Sequence, residues 1–415
     1  MKAISLASDR HLAGTPKPRA LDVLASRLVL SQLSRLQAGR LVLVDGGRET
    51  SFGEGEWPAA RITVKHPAFY SDIAFGGSIG AGESYMAGAW ECDDLVGLVR
   101  LLLHNRAVLD GMEGGAALVT RPLQKLFHWV NRNTRQGARR NISAHYDLGN
   151  DFFALWLDPT MMYSSAIFER EDMTLHEAQL HRLDTICRKL DLRPGDHLLE
   201  IGTGWGGLAI HAARHFGCRV TTTTISREQH RLAQERVAAA GLEDRVTLLL
   251  EDYRDLDGSY DKLVSIEMIE AIGWRQYPTY FGKCAQLLKP GGRLLIQAIT
   301  IAERRYEEAK RSVDFIQRYI FPGSNLPSVK AMATAIADRT DLVITGLEDI
   351  GLHYATTLEH WRKRFFERLE EVRALGYSEE FIRMWEYYLC YCEGGFRDRA
   401  IGDVHLVAER PRVSA

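Results

Sequence analysis

A chain of 415 residues is longer than one hydrophobic core usually organises, which predicts two domains. Its 46% apolar and 26% charged residues match a folded globular protein, and no apolar run approaches the roughly 20 residues needed to cross a bilayer. A net charge of −2 gives no global attraction to nucleic acid, so any attraction to an anionic surface must be local.

The start, Met1-Lys2-Ala3-Ile4-Ser5, lacks the apolar stretch of a secretion signal, so the cytoplasm is the expected compartment. The first fifteen or so residues, with Thr15-Pro16-Lys17-Pro18, read as a disordered leader. Folding is expected to begin near Leu21. Two β-type stretches follow, Leu41 to Val44 and Arg61 to Val64, separated by Gly46-Gly47 and Gly53-Glu54-Gly55 as in a hairpin or meander. Glycines are frequent from Gly76 to Trp90, Leu95 to Leu103 suits a buried helix, and Asp110 to Thr120 reads as a linker. The boundary falls near 125, giving a small mixed α+β domain over 1–125 and a larger one over 126–415. Arg121, Lys125, Arg132, Arg135, Arg139 and Arg140 carry no acidic neighbour and interleave with Leu126, Phe127, Trp129 and Val130. Such a segment suits the headgroup boundary of an anionic membrane; a solvated basic helix face is the alternative.

Beyond the boundary, β-type runs alternate with amphipathic helices, which implies a parallel sheet covered on both faces. The strands are His197 to Ile201, Arg219 to Thr224, Arg245 to Leu250, Lys262 to Ile266 and Arg293 to Ile299. Helices lie near Gly206 to Phe216, Arg227 to Ala240 and Gln276 to Leu288, the last stopped by Pro290-Gly291-Gly292. Towards the end, Leu358 to Ala374 and Glu379 to Phe396 carry Trp361, Phe365, Leu369 and Phe381, Trp385, Leu389 at helical spacing. Burial against the sheet is the expected role of these residues, with the wall of an acyl-chain tunnel as the alternative. The six cysteines are scattered, and Cys390-Tyr391-Cys392 is too tight for paired zinc ligands, so they are read as reduced core residues with no metal site.

The strongest motif is Glu200-Ile201-Gly202-Thr203-Gly204-Trp205-Gly206-Gly207, where a strand gives way to a helix. Glycines there let backbone amides approach a ligand at the carboxyl edge of the sheet. Gly202, Gly204 and Gly207 also satisfy the dinucleotide pattern, but that reading requires an acidic residue ending the second strand, which instead ends in Thr221-Thr222-Thr223-Thr224. Glu200 and the later Glu251-Asp252 fit S-adenosylmethionine, which has an amino-acid end, a ribose and an adenine but no pyrophosphate.

Several segments resemble the cyclopropane fatty acid synthases, in the same order. They are Gly80-Ala81-Gly82-Glu83-Ser84-Tyr85-Met86, His145-Tyr146-Asp147-Leu148-Gly149-Asn150-Asp151-Phe152-Phe153, Asp158-Pro159-Thr160-Met161-Met162-Tyr163-Ser164-Ser165-Ala166, Thr224-Ile225-Ser226-Arg227-Glu228-Gln229, Glu251-Asp252-Tyr253, Tyr319-Ile320-Phe321-Pro322-Gly323 and Tyr354-Ala355-Thr356-Thr357-Leu358. The resemblance implies a class I methyltransferase (Rossmann-like) fold, a mostly parallel seven-stranded sheet with helices on both faces. It implies an N-terminal domain for lipid handling and dimerisation, hence a homodimer, at the inner face of an anionic membrane. By matching motif, Tyr163 and Ser164 would contact the methionine portion of S-adenosylmethionine with Gly202 and Gly204 beneath it, Thr224 and Gln229 the ribose, and Asp252 and Tyr253 the adenine.

The implied reaction alkylates the double bond of an unsaturated acyl chain in a membrane phospholipid. An alkene attacking a sulfonium methyl leaves a carbocation, which demands a dry channel and a positioned base. The family's base is a bicarbonate ion held by a glutamate, a histidine, a tyrosine and backbone beside a cysteine and an isoleucine. Glu270, Tyr354 and Ile299 are the counterparts here, whereas Ser165 stands in place of the cysteine and Gln297 in place of the histidine. Glutamine donates a hydrogen bond but cannot relay a proton as histidine does. Bicarbonate could still bind, and the expected base site is Glu270 with Tyr354, Gln297 being a neutral donor and Glu267 a weaker candidate. The substitutions leave open a methylene or methyl-branched product in place of a ring. A methyltransferase for a soluble metabolite and a non-catalytic lipid-binding protein remain as alternatives.

Overall fold

The computed structural model describes residues 18–114 and 148–412. The expected leader, the basic-aromatic segment 121–140 and His145-Tyr146-Asp147 lie outside the described residues. The chain divides into two compact units.

The first unit comprises the N-terminal part together with Asp314–Ile316 and Val372–Asp398. Its sheet runs β2-β1-β3-β4, with β1 over Arg40–Asp45, β2 over Arg48–Phe52, β3 over Ala59–Val64 and β4 over Trp90–Cys92. Gly46 and Gly47, both with positive φ, turn β1 into β2 as a hairpin. β3 then pairs with β1 in parallel, so the strands do not form the meander that the spacing allowed. Most of the glycine-rich stretch belongs to a helix, Ala68–Met86. A Cβ on Gly82 would stand 2.4 Å from the Phe315 ring, so glycine permits close packing there. Glu379–Arg397, N-capped by Ser378, packs on Ala68–Met86 and Leu95–His104 of this unit.

The second unit holds a seven-stranded sheet in the order β10-β11-β9-β8-β5-β6-β7. β5 (His197–Ile201), β6 (Arg219–Thr223), β7 (Val246–Leu249), β8 (Tyr260–Ile266) and β9 (Leu288–Ile301) pair in parallel. β11 (Ile401–Glu409) runs antiparallel between β9 and β10 (Val343–Asp349). Alternate residues feed two cores. Leu198, Val264 and Leu295 meet Leu183, Ile186, Leu208 and Ala212 on one face, while Leu199, Leu263 and Ile296 meet Tyr280, Phe281, Met332 and Ile336 on the other. The sheet is thus covered on both sides, with the loops after β5, β6, β7 and β8 gathered at one edge. The helix Tyr277–Leu287 passes into β9 two residues before Pro290, so Pro290-Gly291-Gly292 lies inside the long strand.

Candidate active site

The turn after β5 is built on left-handed backbone: φ is 109° at Gly202, 52° at Gly204 and 82° at Gly206. The N–H groups of Gly202 and Thr203 both donate to the Thr223 carbonyl at 3.0 Å, locking the turn to the end of β6. Nothing lies within 4 Å of where a Cβ on Gly204 would stand, whereas one on Gly207 would meet Met162 Sδ at 2.6 Å and Thr160 O at 2.7 Å. The turn is therefore open beside Gly204 and pressed against the loop 158–166 beside Gly207. Arg236 clamps that loop, donating to Trp205 O at 2.7 Å, Thr160 O at 3.1 Å and Pro159 O at 2.9 Å.

Glu200 is buried behind the turn and accepts from Thr222 Oγ1 at 2.6 Å, and burial pushes its carboxyl up to about 8. It underpins β5 and β6 from within. Tyr163 lies in an aromatic group, its ring 5.3 Å from Phe153, 5.4 Å from Trp156 and 5.3 Å from Trp361. Trp361 and Phe365 belong to this group through Trp156 and Phe152, so these two aromatics wall the loop that carries Tyr163. Thr224 Oγ1 donates to Gln229 Oε1 at 2.9 Å, and Asp252 is gripped by Arg254 through two bonds of 2.7 and 2.6 Å. Two buried hydroxyls, Ser164 Oγ and Tyr253 Oη, have no partner. Buried polar atoms without partners are expensive, so a ligand that supplies their bonds fits here. With the open side of Gly204, these groups fit a cofactor carrying polar amino-acid and nucleoside ends.

The base candidates gather at the ends of β8 and β9, and Glu267 is at their centre. Its Oε1 accepts from the Ser165 N–H at 2.9 Å and from Gln297 Nε2 at 2.7 Å, and its Oε2 from the Tyr354 hydroxyl at 2.7 Å. Gln297 is fully engaged: Nε2 also donates to Asp403 Oδ2 at 3.0 Å, while Oε1 takes Arg182 Nη1 at 3.3 Å and His405 Nε2 at 3.1 Å. Glu270 lies beside this network, Oε1 accepting from the Ile299 N–H at 2.5 Å and Oε2 unpartnered. Ser165 contributes its backbone, since its hydroxyl donates to Ala166 O at 2.9 Å.

Burial pushes all three carboxyls up, Glu270 to about 8 with the Glu267 charge adding to the effect, and Asp403 well above its usual range. Glu267 alone is opposed by three hydrogen bonds and the buried Arg182 cation. These bonds and the guanidinium favour the ionised form of Glu267 against the burial that raises it. His405 is held neutral by burial and by Lys189.

Sequence reasoning ranked Glu267 below Glu270 because spacing carries no information about side-chain aim. It did not anticipate Arg182, Asp403 or His405. Glu267 has φ of 47°, a left-handed conformation uncommon for a side-chain-bearing residue, and no sequence signal marks it. The Ser165 N–H, Gln297 and Tyr354 are three of the groups that the family resemblance assigns to bicarbonate. All three bind Glu267, so the residues present do not fit a bound bicarbonate ion.

The turn and the carboxyl cluster adjoin. A Cβ on Gly202 would stand 3.5 Å from the Cβ of Met268, the residue between Glu267 and Ile269, and Ser164 and Ser165 are consecutive.

The sequence profile described as mycolic acid cyclopropane synthetase matches residues 133–406. The chain is 41% identical to tuberculostearic acid methyltransferase UfaA1 of Mycobacterium tuberculosis over 97% of this chain and 96% of that one. It is 40% identical to the cyclopropane-fatty-acyl-phospholipid synthase of Escherichia coli, covering 82% and 86% respectively. The solved structure of mycolic acid cyclopropane synthase CmaA1, complexed with SAH and CTAB, superposes with a TM-score of 0.61 at 33% identity, covering 65% of this chain and 98% of that one. Strand order, glycine turn and these similarities agree: the chain has the class I methyltransferase fold and belongs to the mycolic acid cyclopropane synthetase family of enzymes.

Proposed function

We propose that the protein transfers the methyl carbon of S-adenosylmethionine to the double bond of an unsaturated fatty acyl chain of a membrane phospholipid, and that the resulting cation loses a proton at the carboxyl cluster around Glu267 and Glu270. The observation that carries this reading is the contact of the Gly202 turn with Met268, which sets a cofactor site against a buried base site. Bound S-adenosylmethionine supplies an electrophilic methyl group. Gly202 and Gly204 with Ser164 would hold its methionine end, and Thr224, Gln229, Asp252 and Tyr253 its nucleoside end. Tyr163, Phe153, Trp156 and Trp361 keep water from the cation, which a dry apolar wall requires. No nucleophile needs activation; the residues have only to exclude solvent and take one proton.

The choice of lipid rests on relatives whose names specify fatty acids or phospholipids, and on the extra N-terminal unit. We also infer that the domain over 1–125 handles lipid and supports a homodimer. Among the described residues its first helix leaves Leu21, Leu24 and Leu28 exposed. No described helix is long and apolar enough to cross a membrane, and peripheral attachment at the cytoplasmic face is the placement we propose. A methylene or methyl-branched product is the second reading, favoured by the full engagement of Gln297 and by the near full-length similarity to a tuberculostearic acid methyltransferase.

The test incubates purified protein with methyl-labelled S-adenosylmethionine and vesicles of dioleoyl phospholipid. Label in the acyl chain is expected. NMR then separates a ring from a surviving double bond, and label only in water-soluble compounds would refute the proposal.

A further inference from the structure

We propose that the Glu267 carboxylate is the enzyme's own base, built into the chain at the place where the family resemblance puts a bicarbonate ion. The inference rests on the alkene-alkylating reading above and specifies its proton acceptor.

The geometry is that of an anion cradle already filled. Three donors from three separate parts of the sequence converge on one carboxylate: the Ser165 N–H and Gln297 on Oε1, and the Tyr354 hydroxyl on Oε2. Bicarbonate and carboxylate share a planar O–C–O unit with the same acceptor directions, so a cradle for one accepts the other. A tethered group needs no ligand concentration and loses no translational freedom on binding. Backbone placement points the same way. Glu267 sits in the left-handed region, which is strained for a side-chain-bearing residue. Its N–H donates to the Gln297 carbonyl at 2.8 Å, which fixes the aim of the side chain. As a residue Glu267 is less buried than Glu270 and Asp403.

The electron balance is complete. The alkene π pair forms a bond to the methyl carbon of the sulfonium donor while the C–S pair stays on sulfur, leaving a cation on the chain. A C–H bond then breaks, either on a carbon next to that cation, giving an alkene, or on the added methyl, giving a ring. Its pair forms either a new C=C bond or the third side of a ring, and the proton goes to the Glu267 carboxylate, then to water between turnovers. Gln297 and Tyr354 position the carboxylate and need not carry the proton themselves, so a glutamine suffices where the family has histidine.

The test compares wild type with Glu267→Gly and Glu267→Gln in buffer stripped of carbon dioxide. Glycine is chosen because it tolerates the positive φ. In NMR with carbon-13 bicarbonate, wild type is expected to show no bound ion and Glu267→Gly to bind it. With labelled cofactor and dioleoyl vesicles, wild-type turnover should not respond to bicarbonate. Each variant should lose about 100-fold or more, and only Glu267→Gly should recover, by about tenfold or more, when bicarbonate or formate is added. Retained binding of S-adenosylmethionine in the calorimeter shows that each variant is folded. Bicarbonate binding to wild type, a several-fold bicarbonate stimulation of wild type, or more than about a tenth of turnover left in Glu267→Gln would overturn the proposal. If wild type alkylates no lipid, the reading of function fails. The NMR comparison still decides the cradle, since binding gained only by Glu267→Gly supports it and any other pattern refutes it.

Discussion

Glu270 keeps its proton in the folded enzyme up to about pH 8, because burial and the neighbouring Glu267 charge outweigh the backbone hydrogen bonds to its carboxylate, that of the Ile299 N–H among them. An unfolded glutamate loses that proton near 4.5. Between these values the folded state binds more protons than the unfolded one, so this group's contribution to stability falls as pH rises and levels off above about 8. Glu270→Gln removes that dependence while keeping the acceptor for Ile299. Relative to wild type, its thermal midpoint should rise from about pH 5 to about pH 8, by the equivalent of on the order of a few kcal/mol. A difference that stays flat across this window would show that Glu270 is ionised when folded. The residue names in this cluster were readable from the family resemblance, but their partners were not. Tyr354 was matched to a base site around Glu270, and its hydroxyl instead reaches Glu267, 87 positions away, through the closing of a sheet.

For the elements, the five parallel strands were legible because they are short apolar runs bounded by turn residues, and each observed strand overlaps its expected range. β10 and β11 were not nominated. β10 is an edge strand with mostly exposed residues and a bulge near Gly346, so it carries no apolar run. β11 buries Asp403 and His405 in the carboxyl network, which breaks the alternation a strand normally shows. The glycine turn was legible as the link from β5 to the helix after it, and the structure separates the tasks of its glycines. Gly204→Ala puts a methyl into open space at a positive φ, at a cost of about 1 kcal/mol, and should weaken S-adenosylmethionine binding about tenfold or more. Gly207→Ala drives its methyl into Met162 and Thr160 and should cost roughly 1–3 kcal/mol of stability. Calorimetric titration and thermal denaturation of both variants check this; equal losses of affinity and stability in the two would contradict the division.

At the scale of the molecule, the first unit is completed by a helix from near the C-terminus. Arg383 on Glu379–Arg397 donates to the carbonyls of Tyr85 at 2.6 Å and Trp90 at 2.7 Å, and Tyr85 in turn donates to Glu386 at 2.7 Å. Helical periodicity showed that Phe381, Trp385 and Leu389 form an apolar face, but periodicity cannot say which surface covers it, and the expected partner was the larger sheet. Arg383→Ala takes one donor from each of two carbonyls, of which Tyr85 O keeps the Gly88 N–H, and should lower stability by roughly 1–3 kcal/mol in a denaturant melt, where an unchanged midpoint would show that the helix is not needed to hold the unit.

The enzyme's central chemistry is most directly tested by the fate of the transferred carbon. With trideuteromethyl-labelled S-adenosylmethionine and dioleoyl phospholipid vesicles, wild-type product should carry the labelled carbon at the former double bond, with one hydrogen isotope lost from the methylated chain, and Glu267→Gln should give almost none. Label on the headgroup or in a soluble product, or equal labelling of the acyl chain by wild type and Glu267→Gln, would contradict the account.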